Sequence, residues 1–165
     1  MLEKLKTPFS KIVASDDSAH KIALGTAVGM VVAWTPTLGF QMILAALAAW
    51  VARANKPAAI LVVWITNPYT AIPIYWFNYK VGALLLHQGM EDKSNFVYTF
   101  EAVASGKALE DPILHFWEAF NSIAAPLWLG SMIVGLVIGV ATFFTIRSFV
   151  NRYRSGKQDM GIGIQ

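Results

Sequence analysis

Side chains that could bind a polar solute occur in two clusters within otherwise apolar sequence. Their hydroxyl and amide groups can hydrogen-bond a neutral solute, and neighbouring indole rings can wall a cavity around it. The first cluster falls between residues 34 and 41, and the second between residues 64 and 70. The candidate binding residues are Trp34, Thr35, Thr37, Gln41, Trp64, Thr66, Asn67 and Thr70.

Residues that break helices accompany both clusters. Pro36 and Gly39 interrupt the first, and Pro68 and Pro73 interrupt the second. An interrupted helix in lipid leaves backbone groups unpaired, which is tolerated only inside protein or around a watery cavity. Two interrupted segments in succession are typical of a transporter site, so we predict that the two breaks meet in space. The alternative interpretation is that the polar side chains only satisfy the freed backbone groups of each other's segment.

Other chemistries have little support in this sequence. The chain has no cysteine, its three histidines are far apart, and it lacks a nucleophile elbow, a phosphate-binding glycine loop and paired catalytic carboxylates. We therefore expect no enzymatic activity, no metal site and no cofactor. The net charge of +3 is spread along the chain and does not indicate a nucleic-acid partner.

The composition indicates a membrane protein. Hydrophobic residues make up 56% of the chain and charged residues 14%, against about 45–50% and about 25% in soluble domains. Uncharged runs cover residues 22–52, 57–79 and 119–146, and each exceeds the roughly 18 residues that nominate a membrane segment. The lipid bilayer is thus the first expected partner.

These runs predict an all-α polytopic membrane protein forming a single domain over residues 1–165. The flanks of the first break are each short of the hydrocarbon core, so a re-entrant hairpin and two short spans both remain open. Pro126 fits the first turn of the last helix. In chain order, the expected parts are a cytoplasmic interfacial segment (1–18), a core of broken helices (19–86) with a hairpin at 19–53 and a broken span at 57–86, outer interfacial amphipathic helices (87–122), a C-terminal transmembrane helix (126–146) and a cytoplasmic tail (147–165).

Basic residues predict the orientation in the membrane. Ten of the 13 lysines and arginines lie before the first run, in the 53–56 turn, or after the third run. The positive-inside rule then places both termini and the 53–56 turn in the cytoplasm, with residues 87–118 outside.

Small residues at four-residue spacing mark faces for close helix packing. They are Gly25 with Gly29, and Ser131, Gly135 and Gly139. Spacing does not distinguish a partner helix of the same chain from one of another copy. We expect a homodimer, because three helical elements enclose little interior.

Several motifs occur here in a recognisable order: Gly25-x-x-x-Gly29, Pro36-x-x-Gly39-x-Gln41, Asn55-x-Pro57, Asn67-Pro68, Pro73-x-Tyr75 and Gly82. On these motifs, the chain from about Ser18 to Leu86 resembles the bacterial membrane family named domain of unknown function 2062. The resemblance implies a location in the bacterial inner membrane and, from some members, a neighbouring glycosyltransferase. It implies no established activity.

Two functions are therefore expected from the sequence. The first is binding or translocation of a small solute or lipid-linked molecule at the two breaks, which requires them to be accessible to water. The second is a non-catalytic membrane scaffold or accessory subunit for envelope glycan assembly, with a glycosyltransferase partner and dry breaks.

Overall fold

The computed structural model describes residues 12, 15, 17–87, 94, 96–98, 101 and 113–159. Within these residues the protein is helical and contains no strand, which confirms the all-α prediction for this part of the chain. A 3₁₀ turn at Val63–Ile65 follows the third helix. The helices are α1 (Ala19–Trp34), α2 (Gln41–Val51), α3 (Lys56–Val62), α4 (Pro68–Leu85) and α5 (Ile113–Asp159).

Polar caps define where α1, α3 and α4 begin. Ser18 accepts a hydrogen bond from the backbone N–H of Lys21, and Asn55 accepts one from that of Ala58. Asn67 starts α4 with a capping box, in which the Thr70 hydroxyl accepts from the Asn67 N–H in return. The Asn-x-Pro and Asn-Pro motifs are therefore helix starts, since proline is tolerated in the first turn.

The first two helices form a hairpin. After α2 the chain returns to the beginning of α1, where the Asn55 N–H donates to the carbonyl of Lys21 at 3.0 Å. Ala33, Ala45 and Ala49 form a buried seam between the two helices. The turn beyond α2 places Arg53 in the left-handed region, at φ 53°.

Glycines allow α3 to pack closely beside α1. A Cβ atom on Gly25 would overlap the carbonyl oxygen of Asn55, and one on Gly29 would overlap that of Ala59. Both are closer than real Cβ contacts, so only glycine fits. The predicted packing face at Gly25 and Gly29 is thus occupied by the same chain.

The long helix α5 runs antiparallel to α1 and α4. Gly139 lies against Ala27, and Gly135 lies against Val31, so the second predicted face also packs within the chain. Further toward its N-terminus, α5 meets α4. There a Cβ atom on Gly130 would overlap the carbonyl oxygen of Asn78, and one on Gly82 would overlap that of Pro126.

Two predicted proline positions need correction. Pro73 was expected to break the second segment, but α4 continues through it. The helix loses one hydrogen bond near its N-terminus, and the caps at Asn67 keep the first turn in place. Likewise, Pro126 does not start a separate helix, because α5 is continuous from 113 to 159 rather than 126 to 146. Pro126 is fully buried against α4, and this packing offsets the cost of an interior proline.

The predicted outer helices lie largely outside the described residues, as do most of residues 1–18. Residues 96–98 are helical, as expected. Phe96 is fully buried and packs its ring 5.2 Å from those of Trp76 and Tyr79 on α4. The apolar side of this helical segment therefore contacts the rest of the protein at Phe96.

One helical stretch among the described residues, Ile123–Gly156, is long and apolar enough to cross a membrane. Only 22% of its most apolar window is buried. The core helix of a soluble protein would be mostly buried, so this exposure favours contact with lipid. Large side chains exposed along it include Trp128, Met132, Leu136, Val137, Val140 and Phe144.

We expect Gly130→Ala to destabilise the protein strongly, because the added methyl group would overlap the Asn78 carbonyl and force α5 away from α4. Gly156→Ala is the matched control, since nothing lies within 4 Å of that Cβ position. It should be neutral, or stabilising by up to about 1 kcal/mol from helix propensity. Thermal unfolding in detergent measures both, and equal effects of the two variants would contradict the close contact.

Candidate functional site

The carbonyl end of α1 lies midway along α5. Because α1 ends at Trp34, its last four carbonyls have no partner within the helix. The Cβ atom of Trp34 lies 3.4 Å from the position that a Cβ on Gly135 would take. Gly135 is near the middle of the uncharged run 119–146, so this helix end is far from the charged residues at either side.

Side chains from three other elements bond these free carbonyls. The Thr66 hydroxyl donates to the Ala33 carbonyl at 2.6 Å, and Gln41 Nε2 donates to the same oxygen at 3.3 Å. Asn78 Nδ2 donates to the Trp34 carbonyl at 2.9 Å. The donors also offset the partial negative charge that a helix carries at its C-terminus.

The donors are themselves linked by hydrogen bonds. The Tyr75 hydroxyl donates to the Thr35 carbonyl at 2.9 Å and accepts from Gln41 Nε2 at 3.1 Å. Asn78 Nδ2 also donates to the Ser131 hydroxyl on α5 at 3.0 Å. We call this buried, uncharged group the polar junction; its members are Thr35, Gln41, Thr66, Tyr75, Asn78 and Ser131.

The prediction that the two breaks meet is confirmed for Gln41 and Thr66, which share the Ala33 carbonyl. Thr35 belongs to the same network: its hydroxyl donates to the Val32 carbonyl and lies 3.1 Å from that of Thr37. A role of these residues in binding a solute stays a prediction. Much of their hydrogen bonding is to backbone, as the alternative interpretation expected.

Other predicted residues are not brought into the polar junction. Asn67 and Thr70 hydrogen-bond within the start of α4, and Thr70 also donates to the Ile65 carbonyl at 2.9 Å. The Trp64 side chain is 67% exposed, so the expectation that it covers the pocket is wrong. The 3₁₀ turn, followed by the bend into α4, directs it to the surface.

Sequence analysis missed Asn78 and gave Tyr75 no role in the site. A usable signal was present, because Ala71, Tyr75, Asn78 and Gly82 recur at spacings of four and three residues and therefore share one helix face. An amide on such a face of an apolar helix needs a buried partner. Ser131 was assigned to helix packing, and its hydroxyl in addition positions Asn78.

Within the part of the chain that the structure describes, two buried side-chain polar atoms have no hydrogen-bond partner. They are Nε1 of Trp34 and Oδ1 of Asn78, and the Asn78 side chain is fully buried. One is a donor and the other an acceptor. A buried donor or acceptor without a hydrogen-bond partner destabilises the fold by about 1–3 kcal/mol.

A second polar cluster ties three chain segments together at the opposite end of α1. Asn55 Nδ2 donates to a carboxylate oxygen of Asp17 at 2.7 Å. Arg154 Nη2 donates to the carbonyls of Ser15 and Asp17, both at 2.8 Å. The segments expected in the cytoplasm therefore lie at one end of the fold. No three histidine, aspartate or glutamate residues converge on a metal site within the described residues.

We expect Thr66→Val to lower the free energy of unfolding by about 1–2 kcal/mol, because valine keeps the shape but leaves the Ala33 carbonyl with one weaker donor. Thr145→Val is the control, since that hydroxyl bonds only a carbonyl of its own helix on an exposed face. Denaturation in mild detergent compares the two. A loss no greater for Thr66→Val than for the control would show that this bond is unimportant for stability.

Comparison with known families identifies a match. The model of the family described as "Uncharacterized protein conserved in bacteria (DUF2062)" matches residues 2–158. The match extends well beyond the 18–86 stretch on which the resemblance was noted, and it includes α5. No curated protein and no solved structure matches the chain.

Proposed function

The chain belongs to the bacterial family DUF2062, and from this membership and the geometry above we propose a polytopic inner-membrane protein that binds or translocates a small polar solute. The binding place is the polar junction. The solute is a neutral molecule carrying hydroxyl groups, or the corresponding polar part of a lipid-linked molecule.

In the proposed topology, α1 and α2 form a re-entrant hairpin that enters from the cytoplasmic side and returns to it. The hydrogen bond between Asn55 and Lys21, at the two ends of this hairpin, supports the return. The segments Lys56–Ile65 and Tyr69–Leu85 then cross as one span, bent by 87°. Helix α5 crosses back, in keeping with its antiparallel packing on α1 and α4.

The observation that carries the proposal is a pair of buried atoms without a hydrogen-bond partner, one on Asn78 of the polar junction and one on Trp34, whose carbonyl bonds Asn78. A hydroxyl group can accept from an indole N–H and can donate to an amide oxygen, so a solute that carries hydroxyl groups matches the chemistry of both atoms. All six members of the polar junction are uncharged. An ion would lack a compensating charge among them, whereas a neutral solute needs none.

The scaffold remains a second candidate, and one observation favours it. The carbonyls of Val32, Ala33, Trp34 and Thr35 already have donors within the protein. Under this candidate, the polar junction only stabilises the broken helices. The apolar surfaces would then pair with a second copy or with an envelope glycosyltransferase.

Single-cysteine accessibility separates the two candidates, since the native chain has no cysteine. We expect Thr37→Cys, at the half-buried edge of the polar junction, to react with a membrane-impermeant thiol reagent in vesicles. Val137→Cys is the matched control, because it is exposed on α5 at similar depth but faces outward. A thiol in lipid does not ionise and should not react.

Reaction at Thr37→Cys that a polyol slows, with no reaction at Val137→Cys, supports solute binding. If neither cysteine reacts from either side of the membrane, the polar junction is dry and the scaffold is favoured. Equal reaction at both positions would refute the membrane placement itself.

To test the orientation, a reporter is fused after Gln165. We expect activity only from a reporter that works in the cytoplasm. The physical reason is the basic cluster in the last turns of α5, together with the bonds from Arg154 to the Ser15 and Asp17 carbonyls. An alkaline phosphatase fusion and a fluorescent-protein fusion at the same position give opposite readouts. High phosphatase activity with no fluorescence would reverse the topology.

A further inference from the structure

We propose that the turn between α2 and α3 binds the phosphate of an anionic glycerophospholipid in the cytoplasmic leaflet. This inference rests on the membrane orientation proposed above but not on the polar junction, so either can fail alone. The site is a cavity of about 470 Å³, open to the surface. Its lining residues are Ala49, Trp50, Val51, Arg53, Ala54 and Lys56.

Two cationic side chains meet at this cavity. Arg53 and Lys56 are both exposed, and neither has an acidic partner among the residues that the structure describes. A phosphate diester is a fitting ligand, since a guanidinium and an ammonium group can both donate charge-assisted hydrogen bonds to its oxygens. The volume lies within the roughly 300–1,000 Å³ usual for ligand pockets.

The backbone at Arg53 gives an independent reason to assign its side chain a role. Helix α2 ends in a Schellman motif, in which the Ala54 N–H bonds the Ala49 carbonyl at 2.8 Å and the Arg53 N–H bonds the Trp50 carbonyl at 3.1 Å. This motif places Arg53 at φ 53°, where glycine is the usual residue. An arginine there is strained relative to glycine, which is consistent with a function for the guanidinium.

The surface beside the cavity indicates that the phosphate belongs to a lipid. Ile43, Leu47 and Val51 form an exposed apolar stripe along α2 that leads to the cavity. An acyl chain can lie on this stripe while its phosphate reaches the two cations. The Trp50 indole, 62% exposed, sits at the same end, where tryptophan is common at the membrane interface.

Native mass spectrometry of the detergent-purified protein tests the proposal with phosphatidylglycerol and phosphatidylcholine. We expect the wild type to bind phosphatidylglycerol at least about tenfold more tightly, because only its headgroup leaves the phosphate charge uncompensated. Lys56→Gln should abolish most of this preference. Arg53→Gly should abolish it too, while keeping or raising the unfolding temperature, because glycine suits the left-handed position.

Two same-charge controls should retain the preference: Arg152→Gln, exposed on the last turns of α5, and Lys80→Gln, exposed on α4. Loss of the preference in these controls as well would reduce the effect to general surface charge and overturn the site. So would an unchanged preference in Arg53→Gly and Lys56→Gln. Displacement of phosphatidylglycerol by an equal concentration of inorganic phosphate would overturn the lipid as the source of the phosphate.

Discussion

The rest of the structure depends on pairing the carbonyl groups at the end of α1. That helix has 16 residues and ends at Trp34, between the buried residues Ala33 and Thr35. No further helical turn follows to satisfy its last carbonyls, so side chains must supply the donors. Thr66, Gln41, Tyr75 and Asn78 supply the donors, and each comes from a different part of the chain or a different turn. The bend before α4 and the approach of α5 both serve to bring these side chains to the same helix end.

Close contacts between helix backbones allow the donor side chains to reach the carbonyls at the end of α1. Asn78 can bond the Trp34 carbonyl and the Ser131 hydroxyl together only if α4 lies against both α1 and α5. Gly82 and Gly130 make this possible, because any side chain at either position would overlap the opposite backbone. The polar junction and the glycine contacts thus form one unit, in which loss of the packing would also unpair the hydrogen bonds.

The helical architecture and the interruption around residues 35–40 could be predicted from local sequence, since prolines, asparagine caps and uncharged runs act over short distances. The meeting of Gln41 with Thr66 could be predicted because interrupted helices must pair their freed backbone groups. Whether Pro73 and Pro126 interrupt a helix could not be predicted in this way. A proline ends a helix or remains inside it according to tertiary packing, and the buried contact of Pro126 with Gly82 is invisible in a single sequence. Whether Gly135 and Gly139 pack within the chain or against a second copy could not be predicted, for the same reason. The helical spacing of Asn78 placed it on a packing face, but its hydrogen-bond partners on α1 and α5 could not be identified from a single sequence.

The hydrogen bonds of the polar junction also limit how a solute could bind there. A ligand that displaced Gln41 or Thr66 would leave the Ala33 carbonyl short of a donor, at a cost of about 1–3 kcal/mol for an unpaired buried group. A ligand that used only Trp34 Nε1 and Asn78 Oδ1 would leave every structural bond in place and fill two vacant capacities. The binding that we propose is therefore compatible with the fold where the solute offers an acceptor to the indole and a donor to the amide oxygen. A hydroxyl meets both conditions, whereas a carboxylate cannot donate and an ammonium cannot accept.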